Sequence, residues 1–211
     1  QLSRLVPHNR KSLARYRDVV GAAIDTVVGG RLPRPAAIDY EQLHKVEKGD
    51  FLEIGGVLNI DTYGGQLPVL FLYPKQWNQQ TVIWLSEQGK AGLYDGRGTL
   101  RAEIRALLDQ GATVMGVDLL FQGEFLAEGK PAGPTRRVAN TRQAAAYSFG
   151  YNPTLAARRV HDVLSVISFV WNHETNPEKV ILVALDGTAP LAIAARAQAR
   201  DAVDRLAVRT S

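Results

Sequence analysis

Three short runs of almost unbroken apolar residues constrain this chain more than any other feature: Thr81-Val82-Ile83-Trp84-Leu85, Thr113-Val114-Met115-Gly116-Val117 and Val180-Ile181-Leu182-Val183-Ala184. A strand with one wet face alternates apolar and polar side chains. A strand that is apolar throughout must be covered on both faces. Helical patterns lie between these runs, so they read as strands of a mostly parallel sheet with crossover helices on both sides.

The part before them has a different rhythm. From Asn9 to Val28, the residues Leu13, Tyr16, Val20, Ile24 and Val27 fall at helical spacing, and Gly29-Gly30 stops the pattern. Arg31 to Pro35 is a proline-marked linker, which divides the chain into an N-terminal helix and linker (1–35) and a core (36–211). Phe51 to Ile54 and Val57 to Ile60, separated by Gly55-Gly56, and Val69 to Tyr73, after the turn Tyr63-Gly64-Gly65, read as an antiparallel meander. Their connections are too short to hold a crossover helix.

After Leu85 the spacing predicts a helix from Leu100 to Gln110, capped by Thr99 and closed by Gly111. Leu119 to Tyr151 is irregular, with glycine-rich turns at Gln122-Gly123-Glu124 and Gly129-Lys130-Pro131. Asn152 and Pro153 are read as the cap and first turn of a long helix striped by Ala156, Val160, Val163, Leu164, Ile167, Val170 and Trp171. A sharp turn from Leu185 to Ala189 leads into an alanine-rich helix from Pro190 to about Arg200. Leu206 to Val208 begins a last strand.

Composition narrows the function classes. The 211 residues, 45% of them hydrophobic, suffice for one sizeable core. No apolar run is long enough to cross a bilayer, so no membrane partner is expected. The formal net charge is +4, and the cations are scattered; Arg136-Arg137 and Arg158-Arg159 are the only adjacent arginines. Without a basic stripe interleaved with aromatics, a nucleic-acid partner is not expected. Cysteine is absent, which removes disulfides, thiolate metal sites and a thiol nucleophile. No His/Asp/Glu group has metal-ligand spacing, and no strand is followed by G-x-G-x-x-G. Neither a metal nor a nicotinamide cofactor is expected.

Val183-Ala184-Leu185-Asp186-Gly187-Thr188-Ala189 joins a buried strand to a helix rich in small residues, with backbone donors of the helix amino terminus near the central side chain. Here, and in the order of elements from Phe51 onward, the chain resembles the α/β-hydrolase superfamily. Its strand-rich start and loop spacing are most similar to the acetyl-xylan-esterase and dienelactone-hydrolase-like branch. The superfamily's elbow, G-x-S-x-G, falls with its first glycine on Ala184, its nucleophile on Asp186 and its second glycine on Thr188. Both glycines and the serine are replaced. The loop Ser86-Glu87-Gln88-Gly89-Lys90 lies where the resemblance implies an oxyanion-forming segment, without the usual histidine-glycine start. Val117-Asp118-Leu119-Leu120-Phe121-Gln122-Gly123 is similar to the aspartate-to-glycine loop that follows the next strand.

Three roles stay open for Asp186. It can serve only the backbone, because Asp tolerates positive φ and a carboxylate suits a helix amino terminus. It can be a nucleophile, as resemblance to haloalkane dehalogenases and epoxide hydrolases implies. It can also bind a ligand without attacking it. On a carboxylic ester a carboxylate nucleophile would form a mixed anhydride, a poor intermediate.

The acid and histidine of such a triad follow the nucleophile, whereas His8, His44, His161 and His173 all precede it. His161 lies within the long helix, and His173 at the end of it opposite the catalytic edge. An active enzyme of this type would place its oxyanion donors on Gly187 and near Ser86 or Glu87. Glu87, Gln88 and Asp118 sit where strands of an open α/β sheet line a cleft. Tyr147 and Ser148 lie in a loop that could fold over it. Trp77, Trp84 and Trp171 read as core or rim.

The ligand class this suggests is a small-molecule or carbohydrate ester. The start at Gln1 suggests trimming or excision from a longer chain, and export is a suggestion from the same feature. The stop one strand past the elbow leads to the expectation that the sheet is completed by sequence beyond Ser211, a second chain or a dimer.

Overall fold

Each apolar run becomes a central strand. In the computed structural model, which describes residues 2–29, 31–126, 130, 140, 142 and 153–210, the strands are β1 (Ile38–Glu47), β2 (Phe51–Ile60), β3 (Gly65–Pro74), β4 (Gln80–Leu85), β5 (Thr113–Val117), β6 (Lys179–Leu185) and β7 (Arg205–Arg209). They form one sheet of order β1-β2-β3-β5-β4-β6-β7. The first three strands and the β3–β5 contact are antiparallel. From β5 to β7 the pairing is parallel. This is the mixed sheet read from the sequence.

Alternation along β4 shows why the runs had to be apolar on both sides. Ile83 and Leu85 join a core built with helices α3 (Leu155–Asn172) and α4 (Ala189–Ala199). Val82 and Trp84 join a second core with Ile104 and Leu108 of helix α2 (Ala102–Asp109). Helix α1 (Arg10–Val28) lies against the first of these layers. It starts at the capping residue Asn9, whose side chain accepts from the Ser12 N–H, and ends at Gly29 with φ 70°. Its far end is tied down where His161 Nε2 meets the Val28 carbonyl at 3.0 Å and Gln198 donates to Asp25 at 2.6 Å.

Four local expectations are corrected. Gly55-Gly56 does not split two strands but lies within the single strand β2. A side chain at Gly55 would strike the His44 ring, and one at Gly56 would strike the Tyr40 ring and the Glu41 carbonyl, all from β1. The glycines thus admit neighbouring rings rather than breaking the ladder. Strand β1 has no counterpart in the sequence reading, because its face is mostly exposed and polar.

Thr99 does not cap α2. Its N–H donates to the Asp95 side chain in a preceding turn, and the helix begins two residues after the predicted start. The long helix α3 is capped by Thr154, whose hydroxyl accepts from the Ala157 N–H at 3.1 Å, so Pro153 precedes the helix. Asn152, Tyr147, Ser148, the Arg136-Arg137 pair and most of the Gly129-Lys130-Pro131 turn lie outside the described residues.

Candidate functional site

The crevice forms where neighbouring strands send their chains to opposite faces. β4 and β6 run side by side, with Leu85 opposite Ala184. From β4 the chain proceeds towards α2 on one face, and from β6 into α4 on the other. Such a switch point leaves an opening beyond the carboxyl ends of the strands. The sequence put Ser86, Glu87 and Gln88 on one lip and Asp186 and Gly187 on the other, and the structure brings Glu87 and Gly187 into contact.

The bend after β6 is sharp. Asp186 has φ 53°, a left-handed conformation that Asp accepts more readily than most residues. A short 3-10 turn, Asp186–Thr188, feeds directly into α4. Thr188 clips this bend: its buried hydroxyl lies 2.8 Å from the Leu185 carbonyl and 3.2 Å from the Leu85 carbonyl, and accepts from the Leu185 N–H at 3.1 Å. One side chain therefore fastens the ends of β4 and β6 together, at the position aligned with a glycine of the elbow pattern. The Asp186 side chain is 39% exposed, and its Oδ2 lies 3.4 Å from Arg209 Nη2 at the end of β7. A side chain at Gly187 would collide with the Glu87 carboxylate.

The opposite lip is braced from within. Asp118, 1% exposed, accepts from the Lys90 N–H at 2.8 Å, from Lys90 Nζ at 2.6 Å and from the Glu124 N–H at 3.0 Å. Gly89 (φ 62°) and Gly123 (φ 48°) pass so close to its carboxylate that a Cβ at either would overlap it. Asp118 thus joins the loop after β4 to the loop after β5 and, with Glu87 and Gln88, lines a cavity of about 580 Å³. Ser86 is 8% exposed and donates to the Gly89 carbonyl at 3.0 Å, which locks its hydroxyl inside the turn. Gln88 accepts from Arg101 at 3.1 Å. No hydrogen bond or ion pair links Asp118 with Asp186 among the described residues.

All four histidines are engaged elsewhere. His8 contacts Val6 and Ser12. His44 faces Glu53 at 4.0 Å. His161 meets the Val28 carbonyl, and His173 packs against Tyr40, Phe71 and Phe169. His173 borders a small void beside Thr81 and Thr113, the amino ends of their strands, and so lies at the edge opposite Asp186. Burial holds its imidazole below the usual range. The three tryptophans are structural: Trp84 is buried, and the indole N–H groups of Trp77 and Trp171 donate to the Gln80 and Ala202 carbonyls.

Lys90 and Thr188 entered the sequence reading only as members of their loops, and Arg209 and the pair of half-buried Tyr63 and buried Asp162 did not stand out in it as site residues. Asp162, 3% exposed on α3, accepts from Tyr63 Oη at 3.1 Å and from the Leu120 N–H at 2.9 Å. Burial raises its carboxyl pKa, opposed by these two donors and by the nearby His161 and Arg159. Burial also raises the Tyr63 phenol, reinforced by the Asp162 charge. The one local signal that could have found part of this group is the helical spacing of Arg158, Asp162 and Ser165, which puts them on one side of α3.

No family model and no curated protein matches the sequence. Solved structures do match, in fold. A Bacteroides fragilis NCTC 9343 protein provisionally named an acetyl xylan esterase superposes with a TM-score of 0.69 at 10% identity, over 96% of this chain and 55% of that one. The acetyl xylan esterase from Paenibacillus sp. R4 gives 0.53 at 12%, over 84% and 54%. A cold-adapted esterase from an Arctic intertidal metagenomic library gives 0.52 at 14%, over 81% and 64%. The chain spans a little over half to about two thirds of the length of these proteins.

Proposed function

We propose, from the premise that this chain has the α/β-hydrolase fold, that it is an esterase-like core whose nucleophile position has been given to a carboxylate. In this reading residues 1–211 bind a small ester or carbohydrate ester at the switch point without hydrolysing it. The observation that carries the proposal is the Asp186 bend: a left-handed residue between strand and helix, paired with Arg209 and approached by no histidine. Acyl transfer needs a nucleophile, a base within hydrogen-bond reach of it, and donors for the oxyanion. Here the first is a poor reagent for esters, the second is not supplied by any of the four histidines, and the space above Gly187 faces the Glu87 carboxylate. A fixed carboxylate there would repel a developing oxyanion rather than stabilise it.

The test is hydrolysis of short-chain p-nitrophenyl esters by the purified chain. The expected rate equals the buffer blank. Asp186→Ser is expected to remain inactive, because a serine alone gains no base. A clear rate from the parent chain overturns the reading.

A second reading is favoured by the partial coverage of the esterase structures. It is an active hydrolase whose acid and histidine are contributed by further sequence or by a partner segment. It predicts turnover in an extended protein that is absent from residues 1–211, and turnover that survives Asp186→Ala would remove this residue as nucleophile.

A further inference from the structure

Away from the bend and the Asp118 brace, a hollow of about 690 Å³ opens between the β2–β3 turn and the amino-terminal part of α3. It lies at the carboxyl edge too, because the start of β3 runs beside the end of β5. Its deepest polar group is Asp162. Each oxygen of that carboxylate accepts one bond, from Tyr63 Oη and the Leu120 N–H, so each keeps room for another donor. The Tyr63 hydroxyl also lies 3.5 Å from Ser165 Oγ.

A buried carboxylate ordinarily has a cation bonded to it. Among the described residues none is. Arg159 is turned to backbone, donating to the Leu120 carbonyl at 2.8 Å and the Phe121 carbonyl at 3.3 Å. Arg158 lies over the Tyr63 ring, 5.5 Å from its centroid.

Around the rim, the Gln66 amide donates to Asn59 at 2.8 Å, which leaves the Asn59 amino group and the Gln66 carbonyl for a visitor. Asp61 and Arg158 bring opposite charges to the opening, and Ile60, Leu67 and Phe125 supply apolar wall.

We infer that this hollow binds a neutral, hydroxyl-rich ligand of one or two ring lengths. A polyol presents a donor and an acceptor at successive carbons and C–H surface between them. The wall offers acceptors (Asp162, Gln66), donors (Asn59, Arg158) and apolar contact in the same alternation. Its volume falls within the roughly 300–1,000 Å³ of small-molecule sites. Opposite charges at the opening disfavour a strongly anionic or cationic ligand. The assignment is independent of what Asp186 does.

NMR titration of the full chain with cellobiose tests it, with glucuronate and glucosamine as charged comparisons. Saturable shifts at the Gly64, Gly65 and Gln66 amides are expected for cellobiose, with weaker responses to both charged sugars. Gln66→Ala, on the exposed rim, is expected to weaken binding by about five- to tenfold, the loss of one hydrogen bond, with its thermal midpoint unchanged. Asn59→Ala, which removes the free amino donor at the rim, is expected to weaken it by a similar factor. Absence of saturable shifts, tighter binding of a charged sugar, or rim variants that bind like the parent would each overturn the proposal. Because Gln66 carries no buried contact, misfolding cannot mask the result.

Discussion

Asp118 leaves the end of β5 and Asp186 the end of β6, and the same edge of the sheet treats the two carboxylates in opposite ways. Asp118 is 1% exposed and is fixed by two bonds to Lys90 and one to the Glu124 amide, inside a cradle that only glycines can form. Asp186 is 39% exposed and meets one arginine at 3.4 Å, its direction set by backbone at φ 53°. Buried groups are held by partners that cannot be spared. The exposed one is held by the bend itself, so its side chain can be exchanged while the bend persists.

The contrast is broken or sharpened by four measurements. Asp118→Ala strands the Lys90 and Glu124 backbone N–H groups and leaves the Lys90 ammonium with Glu124 alone, and it is expected to cost about 2–4 kcal/mol in urea denaturation. A loss under about 1 kcal/mol would mean the brace is ornamental. Gly123→Ala forces a Cβ onto the Asp118 carboxylate at positive φ and is expected to cost about 1–3 kcal/mol.

At the other exit, Asp186→Gly is expected to stabilise by about 0.5–1 kcal/mol, since glycine relieves the left-handed strain and an exposed ion pair contributes little. Asp186→Ala should move the opposite way, and equal effects from both variants would show that strain is not what separates them.

The smallest effect is a slope with pH at Asp162, on the same side of the molecule. Burial raises its folded pKa, so the native state holds this proton more tightly than the unfolded chain. Its favourable contribution is complete below the unfolded value, about 3.9, and fades as pH rises through the folded one. Denaturation midpoints followed upward from pH 3 should therefore show a decline in the parent that is absent in Asp162→Asn. Parallel profiles would remove burial as the cause.

Much of the fold was legible in the residues. Continuous apolar runs identified β4, β5 and β6, and the periodic stripes identified α1 and α3. Errors arose where tertiary neighbours override local rules. Gly55-Gly56 reads as a break until the rings of Tyr40 and His44 are laid over it. Strand β1, exposed and charged, has no pattern of its own and exists through pairing with β2. For the candidate site, the turn chemistry marked Asp186 and Gly187, and strand ends marked Glu87 and Asp118. The long-range pairings around them were invisible: Lys90 and Asp118 are 28 positions apart, Thr188 and Leu85 103, and Tyr63 and Asp162, in the neighbouring hollow, 99.

What the sequence determined alone was local in range: which segments must be covered on both faces, where helices stop, and that an aspartate occupies the strand-to-helix turn. Hydrophobic periodicity and φ preference act over a few residues, so one chain suffices to read them. Which carboxylate is buried and braced, which is presented to solvent, and which faces an open hollow were decided only by the tertiary structure. Burial and hydrogen bonding depend on side chains brought together from remote positions, and no local pattern encodes that meeting.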